Sequence, residues 1–442
     1  MSKPINTATV PVTVVADEDD LLLRKVAWRI IPFLFLCYVV SFLDRINIGF
    51  AQLQMKHDLG FSDAMYGLGA AVFYVGYVMF EVPSNLLLAK YGARRTFTRI
   101  MLLWGLASVG MMFVSTPGHF YLLRFLLGVF EAGFFPGIVL YLTYWFPANR
   151  RAAVLSVFFA GVAVAGVFGG LVSGWIMRDM GGVMGLFGWQ WMFALEGAPA
   201  VLLAFVALVY LVDSPRDAKW LTPHERDRLE TLCAQGHAAA GAHDSDSLFA
   251  ALKNPRVYLF AFIYFSLTCA SLTLSFWMPL MIRDFGIKDV VSVSLYSVVP
   301  NAIGAVGLIL IARHSDRVKE RRKHFACCTI GGGIALAALT LHLPSFPAML
   351  AILSLACVLI FAALPIFWSV PSSYLTGKTA AAGIAFISSI GITSGIVSPW
   401  VIGQIRTTTG SMDLAVYLLA GLLLASGLAL MFGIAKEPVR HA

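Results

Sequence analysis

The sequence predicts an all-α membrane protein with twelve transmembrane helices in two pseudo-symmetric six-helix bundles. Three observations predict it: an apolar, charge-poor composition, a series of apolar segments of spanning length, and Lys and Arg gathered in alternate loops. Of the 442 residues, 59% are hydrophobic and 13% charged, whereas soluble domains carry about 25% charge. A soluble chain with so little charge would leave most of its surface apolar.

After a polar start, apolar segments fall near 28–52, 64–89, 96–115, 119–145, 152–177, 190–212, 256–282, 290–312, 325–342, 346–372, 380–404 and 412–435. Each is long enough for a helix rising 1.5 Å per residue to cross a hydrocarbon core of roughly 30 Å. Only Pro344 and Pro347 separate the ninth segment from the tenth. Residues 1–24 carry the acidic cluster Asp17, Glu18, Asp19 and Asp20 without the apolar core of a secretory signal, and are expected to form a disordered cytoplasmic tail.

Positive charge tests the count of spans, because short cytoplasmic loops retain Lys and Arg while exported loops are poor in them. Only Lys56, Arg178, Arg283, Lys288 and Arg406 of the 32 fall in one set of alternate connections. Two arginines lie inside spans and the rest collect on the other side. Both termini are therefore expected in the cytoplasm. A polar stretch after Asp213, with the helix-like piece LTPHERDRLETL, divides the chain into a bundle over 25–213, a linker over 214–255, a second bundle over 256–436 and a tail over 437–442. Segments 83–95 and 306–322 both end a helix with a basic cluster about half a chain apart, which is the mark of a duplication.

A charge within hydrocarbon costs at least ~2.5 kcal/mol, so intramembrane ions need a reason. They are Asp44 and Arg45 in the first span, Glu81 in the second, Arg124 and Glu131 in the fourth and Glu196 in the sixth. Arg124 and Glu131 are seven residues apart and share a helix face. In the functional reading Arg45 or Arg124 offers a planar fork to a carboxylate while Asp44 and Glu131 carry protons. In the competing reading the four form two ion pairs that hold helices one and four together. Glu81, near the cytoplasmic end, suits gating or contact between bundles, and Glu196 reads as a structural interfacial acid.

The last six spans have no internal charge. They supply Ser271, Thr273, Ser275 and Trp277, then Asn301, Trp368, Ser388, Ser389, Thr393 and Ser394. Such groups read substrate hydroxyls or rings, or simply bond within their own helices. No metal-ligand spacing, nucleotide loop or soluble output domain appears, so no metal and no cofactor is expected, nor an enzyme. The six cysteines are expected as free thiols. The net charge of +8 sits in short loops between apolar runs, which suits a lipid bilayer and not nucleic acid.

The strings FLDRINIGFA, EVPSNLLLAKYGARR, RFLLGVFEAGFFPGIVLYLTYWFP, GWQWMFALEGAPA and ARHSDRVKERRKH together resemble the anion:cation symporter family of the major facilitator superfamily. The likeness is to bacterial carriers of tartrate, sugar acids, phthalate and hydroxyphenylacetate. It implies proton-coupled uptake of a small organic anion across the inner membrane by alternating access, in a monomer. By motif it implies protonation at Asp44 and Glu131, carboxylate binding at Arg45 with Arg124 balancing the acids, and a cavity lined by Tyr77 and Trp368. Ser388 stands where relatives often carry asparagine. Ala89 replaces the usual acid of the first loop motif, so the cytoplasmic gate is expected to use Asp316, Arg317, Arg321 and Arg322 with Lys90, Arg94 and Arg95. A proton-linked exporter or an exchanger of the same fold, and a non-transporting membrane sensor, are the alternatives.

Overall fold

A computed structural model describes residues 12–238, 253–375 and 378–433. Residues 1–11 of the expected N-terminal tail, 239–252 of the linker, 434–436 of the second bundle and the whole tail at 437–442 lie outside the described residues. The described chain is helical throughout its ordered elements. The first half holds α1 (Val12–Asp58), α2 (Asp63–Tyr91), α3 (Ala93–Gly110), α4 (Pro117–Glu131), α5 (Phe134–Trp145), α6 (Ala148–Asp179) and α7 (Gly188–Tyr210). A polar helix, α8 (Pro223–Ala238), leads to the second half. That half holds α9 (Pro255–Asp284), α10 (Val290–Val318), α11 (Arg322–Leu339), α12 (Phe346–Ser369), a short α13 (Pro371–Tyr374), α14 (Lys378–Thr409) and α15 (Asp413–Gly433).

Eleven described stretches are long and apolar enough to cross a membrane, with α4 and α5 forming one of them. The twelfth crossing is α11, only 18 residues long and opening on Arg322, Lys323 and His324, which lower its mean hydropathy. It completes the second six-helix bundle by packing between α12 and α15. The face where α1 begins and α15 ends is the tail face, and the opposite one is the far face.

Two expectations are corrected. The tail expected to be disordered over 1–24 is helical from Val12, as part of an α1 of 47 residues, longer than a hydrocarbon core of roughly 30 Å requires. Two of its acidic residues are tied down, Asp19 by Arg228 at 2.7 Å and Asp20 by Arg150, while Lys25 meets Glu225 at 2.8 Å. The fourth span, expected as one helix, breaks at Ala132 and Gly133, immediately after Glu131. Gly133 has φ +83°, a conformation that a side chain disfavours, and a methyl there would press on Ser84. Pro136 lacks the N–H that a continuous helix would use.

The halves meet through small residues. A methyl on Gly49 would stand 2.7 Å from the Phe276 carbonyl oxygen, and one on Gly170 2.8 Å from that of Ser294. Gly67 of α2 lies against Pro399 and Gly403 of α14. Missing side chains let backbones approach closely, which is how helices gain dispersion contacts when lipid competes for every apolar surface.

Every hydrogen bond between the halves among the described residues lies toward the far face. Arg406 bridges Asp63 at 3.1 Å and Asp284 at 2.5 Å, and Lys56 reaches Asp63 at 2.8 Å. The Arg283 guanidinium donates to the Leu53 carbonyl, the Tyr66 hydroxyl to that of Phe276, and the Ala64 amide to the Thr407 hydroxyl. The far face is thus sealed by charge as well as packing. Arg406→Gln leaves Asp63 and Asp284 without their shared cation. It is expected to shift the balance toward an open far face by about tenfold, on the order of 1.4 kcal/mol. Spin labels on the far ends of α2 and α14 read the separation, and an unchanged distance distribution would remove Arg406 from the seal.

Candidate functional site

Among the described residues, the first half carries one ion pair well inside its spanning segments. Arg45 of α1 donates from Nε to Glu131 Oε1 at 2.7 Å, and Ser41, one turn earlier on the same face, donates to that oxygen at 2.5 Å. Glu131 is fully buried at the last residue of α4, and its Oε2 has no hydrogen-bond partner. The break after Glu131 leaves this carboxylate at a helix end where the chain turns away. Arg45 is less enclosed, with 15% of its side chain exposed. Its guanidinium lies 5.1 Å from the ring centre of Tyr77, 5.2 Å from Phe42 and 5.8 Å from Phe73. These π faces stabilise a cation that has left water.

Arg124 stands across Phe73, its guanidinium 4.8 Å from the ring centre. It donates to the Gly69 carbonyl at 3.3 Å, and its Nη2 is buried without a partner. A cation with unused donors, beside an acid with an unused oxygen and a second guanidinium, makes a site with spare capacity for an anion.

Asp44 does not join this group. Adjacent residues project about 100° apart around a helix, and Asp44 faces α3 instead. Its Oδ1 accepts from Ser108 at 2.7 Å and its Oδ2 from Trp104 Nε1 at 2.5 Å. The reading in which the four residues form two ion pairs is therefore corrected to one pair, Arg45 with Glu131, between helices one and four. Ser41, Trp104 and Ser108 were not singled out in the sequence. Their spacing, i and i+4 about Arg45 and within α3, was the only available signal.

The second half presents aromatic groups. Trp368 is half-buried with its ring edge-on to Tyr264 at 4.7 Å, and Tyr264 stacks on Phe367 at 5.2 Å. Gly391 leaves room for the Tyr264 ring, and Ser388 lies half-buried on the turn before it. Tyr264 was missed by sequence reasoning, since one tyrosine in an apolar run carries no distinguishing pattern. Asn301 donates to the Ser297 carbonyl at 2.9 Å and packs beside Gly166, at the seam of α6 and α10. Thr273, Ser275 and Thr393 hydrogen-bond carbonyls of their own helices, as the packing alternative for such residues holds.

Residues 34–399 match the family model described as Major Facilitator Superfamily. The chain belongs to the major facilitator superfamily. This facilitator is 47% identical over 414 residues to an Agrobacterium vitis protein named "Putative tartrate transporter", covering 93% of this chain and 91% of that one. It is 41% identical over 426 residues to "Putative metabolite transport protein NicT" of Pseudomonas putida, covering 96% and 97%. It is also 39% identical over 404 residues to a "Quinolone resistance transporter" of Acinetobacter baumannii, covering 91% and 93%. Among solved structures, the D-xylose-proton symporter shares the fold with a TM-score of 0.74 at 16% identity, covering 93% and 98%. The facilitator is accordingly a multi-pass membrane transporter of small organic substrates, and its family points away from an enzyme.

The facilitator's two basic clusters each knit their own half. The Arg94 amide donates to Asp213 at 2.8 Å and its side chain to the Leu208 carbonyl, joining α3 to the end of α7. Lys90 lies 5.3 Å from the Tyr91 ring centre, and Arg95 is exposed. Asp316 is 3.6 Å from Arg321, which also donates to the Ser369 carbonyl at 3.3 Å. Arg322 donates to the Met431 carbonyl, and Arg317 is exposed. Glu81 is half-buried on α2, one turn beyond Tyr77. None of these residues bonds the opposite half among the described residues.

Proposed function

We propose that this facilitator is a proton-coupled importer of a small organic anion across the bacterial inner membrane, with the tail face cytoplasmic and the structure inward-facing. The observation that carries the reading is the Arg45–Glu131 pair. A substrate carboxylate and the Glu131 carboxylate are rivals for one guanidinium fork. When Glu131 is ionised it occupies Arg45. When Glu131 takes a proton it loses its hold, and Arg45 with the spare donors of Arg124 becomes free for the anion. Proton and anion are then loaded together outside and released together inside, where the re-formed ion pair displaces the substrate. Tyr77 and, from the other half, Trp368 and Ser388 complete the pocket.

The tartrate named for the relative from Agrobacterium vitis fits two cations with one carboxylate each, so a hydroxylated dicarboxylate is the substrate class we favour. The relative named for quinolone resistance favours the rival reading, an exporter using the same pair. Proteoliposomes holding a pH dye separate them. With L-tartrate added outside an inward proton gradient, an importer accumulates tartrate and acidifies the lumen as it does so. Alkalinisation of the lumen on tartrate entry means exchange for protons and overturns symport.

A further inference from the structure

Glu196 has no part in the anion site. It lies on α7, eight residues or ~12 Å from the far end of that helix, and is 4% exposed. Ser173 of α6 donates to its Oε1 at 2.7 Å, while its Oε2 is buried without a partner. The Asn47 amide of α1 approaches Asp44 Oδ1 at 3.5 Å. Asn47 is itself 1% exposed, and its Oδ1 is a second buried acceptor with no donor. Gly197, next to Glu196, packs on Ser108, whose hydroxyl donates to Asp44, so the two acids share a polar region inside the first half.

The groups that face Glu196 are few. From α1 come Asp44 and Asn47, from α6 Ser173, and from α3 Ser108, against which the neighbouring Gly197 packs. Neither Glu196 nor Asp44 has an ion-pair partner among the described residues. An ionised carboxylate at Glu196 is an isolated charge in a dry interior, which is heavily disfavoured. A proton on its free oxygen removes that charge. We propose that Glu196 is a second proton-binding site, separate from the anion site.

This inference rests on the proton-coupled reading above, and adds a station that never touches substrate. Glu196 stands nearer the far face than Asp44, so protons loaded from that side meet it first.

Infrared difference spectra between acid and alkaline pH, taken on purified protein without substrate, test the site itself. Glu196→Gln is expected to remove one carbonyl band of a protonated carboxyl, and Glu196→Asp to shift it. In proteoliposomes Glu196→Gln is expected to lower the number of protons moved per L-tartrate by one, while tartrate counterflow, which shows that the protein is folded, persists. An unaltered spectrum with an unaltered proton ratio overturns the proposal and leaves the role of Glu131 standing. Wild type carrying tartrate without protons overturns symport instead, and the infrared band then decides the Glu196 site alone. Should Glu196→Gln fail to fold, an unshifted band in Glu196→Asp overturns the proposal.

Discussion

Arg45→Lys is expected to reduce tartrate uptake roughly 10- to 100-fold, and Arg45→Ala to abolish it. The guanidinium gives Nε to Glu131 while its remaining donors and planar face stay beside Tyr77, Phe42 and Phe73. An ammonium on a flexible stem replaces that fork with one point charge, which cannot grip a carboxylate bidentately. Hydrogen bonds to charged groups are worth ~1.5–3 kcal/mol, and each 1.4 kcal/mol is about tenfold. Alanine goes further by stranding Glu131 as a buried, unpaired acid, a loss of about 3–5 kcal/mol. Initial rates in proteoliposomes, normalised to inserted protein, measure both. Uptake by Arg45→Lys within twofold of wild type would place the anion elsewhere.

Glu131→Gln separates accumulation from movement. The amide is nearly isosteric and its oxygen still accepts from Arg45 and Ser41, so the helix contacts persist. It carries no charge to compete with the substrate and no proton to exchange. Tartrate counterflow is therefore expected to stay within a few-fold of wild type, while accumulation driven by a proton gradient falls to the equilibrium level. The two assays on one preparation make the comparison, and full gradient-driven accumulation in this variant would remove Glu131 from coupling. The opposite result, loss of counterflow with accumulation, is what a purely structural ion pair predicts.

Much of this site was legible before the fold was known because hydrocarbon makes ions conspicuous. Arg45, Arg124 and Glu131 stand out as charges in apolar runs, whereas only the fold sets the two guanidinium groups on either side of Phe73. Asp44 was equally conspicuous, yet its partners Trp104 and Ser108 lie 60 and 64 residues away on α3. Helical geometry turns it away from Arg45, but nothing in the local sequence says which helix it meets. The seal at the far face was less visible still. Asp63, Asp284 and Arg406 sit near helix ends, where charge is ordinary, and only packing of α2, α9 and α14 brings them together.

What the sequence alone determined was partition: which segments enter lipid, where the duplication divides the chain, and which few charges must be sheltered. These follow from transfer free energies, which belong to each residue and its immediate neighbours. Only the tertiary structure decided pairing. It placed Glu131 on Arg45, Asp44 on α3, Arg406 between two acids of different halves, and the break of the fourth span next to the buried acid. Such choices depend on distances between residues remote in the chain, and on backbone approaches that single glycines permit, so no local pattern encodes them.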